Sequence, residues 1–237
     1  MDGRRYVLGV DGCRGGWLVA AHFLDRGEIR VDFADAMRSI LDGPGLGAAA
    51  IMIDMPIGLA DAGSRACETE ARRRLGPRRA SVFASPSRAM LAFERYEDAN
   101  AYGKARGRGL SRQAFMIMPK IRELDRIITP EDQRRIGEAH PELAFAALKG
   151  APCAHSKRSP EGARERRGLL AGAGVRRLDA LIGELREKIP ARSCFADDDV
   201  LDAIALAMTA AARIEGRATR LGDGARDARG LVMEIWA

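Results

Sequence analysis

Apolar and polar positions alternate at the start of the chain and then shift to longer periods. Tyr6–Asp11, Trp17–Phe23 and Glu28–Phe33 are rich in β-branched and aromatic residues, and a two-residue period predicts three strands. The first two are joined by Gly12-Cys-Arg-Gly-Gly16, a loop that suits a hairpin. Asp35–Leu41 predicts a short helix stopped by Gly43-Pro44. Ala48–Ile53 is a continuous apolar run, the pattern of a strand buried on both faces, and it ends on Asp54.

The pattern then changes. Residues from about 60 to 132 are rich in Arg and Glu, with helical periods at Ser64–Leu75 and Ser111–Ile128. They predict an insertion laid over one edge of a sheet. Arg134–Glu138 predicts a short strand, and Pro141–Lys149 a helix with proline in its first turn. Further helices are predicted near Glu161–Leu170, Arg177–Lys188 and Asp198–Glu215, followed by a β-like run at Leu231–Trp236. Three meandering strands, a helix and then parallel strands predict an α/β fold. The expectation is a single RNase H-like domain, a mixed sheet flanked by helices and carrying one helical insertion.

The chemistry lies in the acidic residues. Asp11 and Asp54 each end an apolar run, so parallel neighbours would project both carboxylates from one sheet edge, where open α/β sheets bind ligands. Alone, either could be a turn residue before Gly or Pro. Asp199 and Asp202 lie three apart on the predicted last helix, within about 60° of each other. Like charges that close are easier to explain with a cation between them. Glu138 closes a predicted strand and is preferred over Glu142, whose place at a helix start has its own explanation. His140 between them is a candidate base or substrate contact. An all-carboxylate set suits a hard cation, Mg²⁺ or Mn²⁺. Two such ions about 3.5–4 Å apart would support phosphodiester hydrolysis.

Composition changes this picture little. The chain has 237 residues with 46% hydrophobic content, enough for one large core. The formal net charge of +6 favours a polyanionic partner. Cys13, Cys67, Cys153 and Cys194 are too scattered for a zinc knuckle or a disulfide framework. No segment has signal-peptide character and no apolar run approaches the ~20 residues of a membrane span, so a cytoplasmic protein without membrane contact is expected.

Six stretches in order, "LGVDGCRGGW", "IDMPIGL", "SVFASPSR", "LSRQAFMIMPKIRELD", "EAHPELAF" and "DDVLDAIALA", resemble the domain-of-unknown-function 429 family. That family is usually described as predicted nucleases of RNase H-like fold. The resemblance implies an acidic site on Asp11, Asp54, Glu138 and the Asp199/Asp202 pair, as both catalytic and metal-binding residues. It also marks Arg88, Ser111, Gln113, Lys120, Glu123, Asp125, His140 and Lys157 as motif positions. Arg88, Lys120 and Lys157 are expected to hold phosphate oxygens, whereas Glu123 and Asp125 are expected to pair on the surface with Arg122 and Arg126. The resulting expectation is a Mg²⁺- or Mn²⁺-dependent nuclease acting on DNA or RNA, with a homodimer left open. The alternatives are a nucleotide- or phosphometabolite-binding phosphotransferase and a non-catalytic binding module. A Ser-His-Asp hydrolase is disfavoured because no G-x-S-x-G stretch occurs.

Overall fold

A computed structural model describes residues 5–189 and 194–237. Strands β1 (Tyr6–Gly12), β2 (Trp17–Phe23) and β3 (Glu28–Ala34) form the predicted meander. Strands β4 (Ile51–Ile53) and β5 (Ile136–Glu138) add in parallel on the other side of β1, giving the sheet order β3-β2-β1-β4-β5. This mixed sheet with helices on both faces is the expected RNase H-like α/β arrangement. Strand β4 is shorter than its apolar run suggested, and a 3-10 segment, Pro44–Gly47, precedes that run. The backbone that follows still pairs with β1, through Ala49 N–H to Tyr6 O and Leu8 N–H to Ala50 O, both 2.9 Å.

One face of the sheet is covered by α1 (Met37–Asp42) and α4 (Arg112–Ile127). Leu8, Val10, Val19, Ile51 and Ile53 meet Ile121 and Leu124 there in a single apolar cluster. The opposite face is covered by α5 (Pro141–Lys149), α6 (Pro160–Gly172), α7 (Leu178–Lys188) and α8 (Asp197–Ile214). Each fully buried Leu or Ile side chain in these two layers contributes roughly 1.5–3 kcal/mol. The segment between β4 and β5 therefore does more than lie along an edge, since α4 supplies part of one core layer. That segment also holds α2 (Ala66–Leu75) and a helix with no clear sequence signal, α3 (Tyr96–Lys104). At the end of the chain, only Ile235–Trp236 of the β-like run forms a strand. This β7 pairs with β6 (Arg220–Leu221), and Trp236 bridges Ala139 beyond β5.

The placement of α8 depends on Gly9. A Cβ there would lie 2.1 Å from Ala203 O and 2.2 Å from Ala207 N, so the helix backbone rests directly on the strand. The small residues Ala203 and Ala207 permit the same approach from the helix side. Along β1, the residue after next on that face is Asp11, and one residue before Ala203 on the helix is Asp202. The close crossing therefore sets where the two carboxylates stand. Gly9→Ala is expected to push backbone against backbone, costing about 3 kcal/mol or more. Urea unfolding of the variant should show a lowered midpoint with a similar slope.

Candidate active site

In β1, residues 7, 9 and 11 face α8, and in β4 the same face takes Met52 and, by alternation, Asp54. Asp11 and Asp54 thus stand side by side at the carboxyl ends of adjacent parallel strands, tied by Asp54 N–H to Val10 O at 2.9 Å. Asp202 arrives from α8 and is 2% exposed, Asp11 5%. One carboxylate oxygen of Asp202, Oδ2, accepts from Lys157 Nζ at 2.7 Å, whereas Oδ1 is buried without a partner. Neither Asp11 nor Asp54 accepts a hydrogen bond from a described residue. Asp199 is half-buried and its Oδ2 accepts from Ala196 N–H at 2.9 Å, which closes the helix start. Asp199 is therefore partly engaged as a cap, while the inner residue Asp202 faces the strands' carboxylates.

The carboxylates raise one another's proton affinity. Burial pushes Asp11 well above the usual carboxylate range, and the charges of Asp54, Asp202 and Asp199 push in the same direction against Lys157. Burial likewise raises Asp202, to about 6, although Lys157 opposes the shift. Asp199 is raised chiefly by burial. Burial alone would lower Lys157, but the Asp202 carboxylate outweighs it and the ammonium is held above its ordinary range. Three mutually facing acids beside one lysine leave negative charge uncompensated.

Glu138 is placed differently. The register pairs Val10 with Ile53 and Ile53 with Glu138, so Glu138 lies one residue short of the level of Asp11 and Asp54 and faces the other side of the sheet. Ala139, in the apolar layer under α8, takes the place in line with them. Glu138 instead makes a buried two-point pair with Arg65, 2.7 Å at both oxygens, and accepts from Ile57 N–H at 2.8 Å. Arg65 continues to Glu68, whose Oε1 also takes the Ser85 N–H and hydroxyl. Sequence gave no sign of this buried arginine, because the partners are 73 residues apart. The preference for Glu138 over Glu142 as a ligand gains nothing from this geometry. Glu142 is itself paired with Arg166 at 2.5 Å and Arg78 at 3.3 Å.

The basic candidates separate in the same way. Lys157 borders the acids, with Asp198 Oδ2 at 3.2 Å as its second partner. Lys120 crosses from α4 to donate to Gly16 O at 2.5 Å and lies 4.4 Å over the Trp17 ring, bracing the glycine-rich hairpin. Arg88 is taken up by Asp125 and Asp227, which pin the inserted segment to the C-terminal region. Glu123 binds Trp17 Nε1 at 3.1 Å and the Met37 N–H, and Asp125 holds Arg88 and Arg229, so neither pairs with Arg122 or Arg126. His140 caps α5 by accepting from Glu142 N–H through Nδ1 at 3.2 Å.

His140 also borders two cavities that meet at Asp54, Ser81 and Phe83. The smaller one, of about 120 Å³, is lined by Asp11, Arg65, Glu68, Ile117 and Glu138. An open cleft of about 550 Å³ is lined by Arg78, Gln113, Lys157, Arg158 and Asp202. Phe83, 38% exposed, stands between them, and Arg78 and Arg158 have no motif spacing that would have marked them.

The fold and site define an α/β protein of RNase H-like architecture with an acidic, basic-rimmed cleft at the carboxyl edge of its parallel strands. The chain belongs to the family described as protein of unknown function DUF429, whose model matches residues 9–226. No curated protein and no solved structure matched the chain.

Two outcomes follow from this geometry. Glu138→Gln leaves the buried Arg65 guanidinium with Glu68 as its remaining carboxylate partner and should cost about 3 kcal/mol by chemical denaturation. Divalent-ion affinity of the folded fraction should not change. Asp11→Asn removes a carboxylate that binds a proton more readily folded than unfolded. Stability from such a group is present at low pH and lost as pH rises beyond the unfolded value of 3.8. The variant should therefore melt higher than wild type at pH 7, by several degrees, since about 1 kcal/mol shifts a chain of this size by about 2–4 °C. At pH 4 the difference should shrink.

Proposed function

We propose that this protein is a divalent-metal-dependent nuclease that hydrolyses phosphodiester bonds of a nucleic acid lying in the open cleft. The observation that carries the reading is the convergence of Asp11, Asp54 and Asp202 from two strands and a helix, with a buried, unpartnered Asp202 Oδ1 among them. Oxygen donors of this kind suit Mg²⁺ or Mn²⁺ by chemistry. The side chains as they stand are not gathered into a cage, for among the described residues no three His, Cys, Asp or Glu are grouped to hold an ion. When bound, the cation would supply Lewis-acid activation of a water and charge neutralisation at the phosphate.

The chain's own residues do the rest. The unbonded oxygens of Asp11 and Asp54 can orient the attacking water and accept its proton. Hydrolysis then forms a new P–O bond from water and breaks the bond to the leaving oxygen, which takes a proton in turn. Burial and the neighbouring aspartates raise the proton affinity of Asp11, which favours its taking a proton from the attacking water. Arg78, Arg158 and Lys157 along the cleft would hold non-reacting phosphate oxygens. A net charge of +6 supports a polyanionic substrate. All four cysteines are free thiols, in keeping with a reducing cytoplasmic setting. No described helix is long and apolar enough to cross a membrane.

The cleft volume supports a second reading, because about 550 Å³ falls within the range of small-molecule sites, and a phosphorylated metabolite would use the same residues. One experiment separates the two. Purified protein with Mn²⁺ is offered single- and double-stranded DNA and RNA beside small phosphodiesters and sugar phosphates. Cleavage of nucleic acid, reduced about 100-fold or more in a folded Asp11→Asn variant, is the expected result. Turnover of the small substrates alone would move the assignment to the second reading, and no turnover of either class would overturn both.

A further inference from the structure

Lys157 is not an ordinary surface lysine. It lies in the connection between α5 and α6, and that connection is fastened on both sides of it. The Ala154 and His155 N–H groups donate to the Glu165 carboxylate at 3.0 and 3.1 Å. Arg166, 1% exposed, donates to His155 O at 3.2 Å, and Ser159 Oγ caps α6 by accepting from Gly162 N–H at 3.1 Å. Cys153 is buried in the apolar layer. The backbone of this loop thus aims the lysine into the acidic cluster, where its ammonium bonds Asp202 at 2.7 Å and Asp198 at 3.2 Å. Among the described residues it is the one cation bonded to any of the clustered aspartates.

An ammonium and a divalent ion cannot share one carboxylate oxygen at bonding distance without strong repulsion. The ammonium occupies Asp202 Oδ2, whereas Asp202 Oδ1 and the oxygens of Asp11 and Asp54 remain open. We propose that Lys157 is a tethered cation standing where a second metal ion would otherwise bind, so that the cluster takes one divalent ion beside a lysine. The lysine supplies part of the counter-charge of the acids. This inference rests on the metal-site reading given above, but it makes its own prediction about stoichiometry and competition.

The test is calorimetric titration of Mn²⁺ into wild type, Lys157→Gln and Lys157→Arg, with melting curves of each protein with and without Mn²⁺. Wild type and Lys157→Arg are expected to bind one ion. Lys157→Gln should bind Mn²⁺ about 10-fold more tightly or take a second ion. Its metal-free form should melt below wild type and be raised more by Mn²⁺. Binding by Lys157→Gln but not by wild type would overturn the one-ion assignment and remove the metal from the native protein's chemistry. Two ions in wild type, or unchanged or weaker binding in a folded Lys157→Gln, would overturn the inference and leave the nuclease reading standing. No Mn²⁺ binding by any of the three would overturn both.

Discussion

The contact between α8 and β1 organises the molecule. With no side chain at Gly9 and only methyl groups at Ala203 and Ala207, helix backbone and strand backbone approach until a single added carbon would overlap two main-chain atoms. Such an approach fixes the height of the helix above the sheet and its rotation. Asp202, adjacent to the contact on the helix, is carried to the end of β1, and Asp11 lies two residues from the contact on the strand. The apolar residues around the crossing, Leu201, Ile204 and Leu206 among them, hold it closed by burial. A functional arrangement of charges therefore depends on a packing contact that contains no charge.

The cluster built on this contact is under electrostatic tension. Burial disfavours ionised carboxylates, and each aspartate disfavours its neighbours further, so proton affinity rises at Asp11, Asp199 and Asp202. Natural folds tolerate such tension where the charge has a use. The buried charges around Glu138 are paired more closely. Glu138, Arg65, Glu68 and Ser85 bond one another in a buried network that lines the same cavity as Asp11 and Asp54. The contrast between a paired buried network and an incompletely paired acidic one is the clearest electrostatic distinction between scaffold and candidate site in this protein.

The basic residues divide along the same line. Arg88 and Lys120 act within the scaffold, one joining the inserted segment to Asp227, the other holding the hairpin at Gly16. Lys157 alone of the three bonds the acids, and its loop is anchored by Glu165 and Arg166. A charged residue's role here follows from which element carries it and what that element is fastened to, not from its charge.

Much of this was readable from residue order. Alternation identified the meander, the apolar run before Asp54 identified a parallel strand, and the 3.6-residue period with acids at its start identified α8, because these patterns reflect local geometry and burial on one or two faces. The candidate pair Asp11 and Asp54 was legible for the same reason: both end strands whose side-chain alternation can be counted. The facing of Glu138 was not legible, because it depends on register between strands, and a shift of one residue sends a side chain to the other side of the sheet. Residue order likewise carried no trace of Arg65 meeting Glu138, of Arg88 meeting Asp227, or of Lys157 entering the cluster at Asp202. Those pairings join positions 45 to 139 residues apart, and only the packed chain determines which opposite charges come within bonding distance. Local pattern decided the elements, and tertiary packing decided which of their charges became scaffold and which were left to face the cleft.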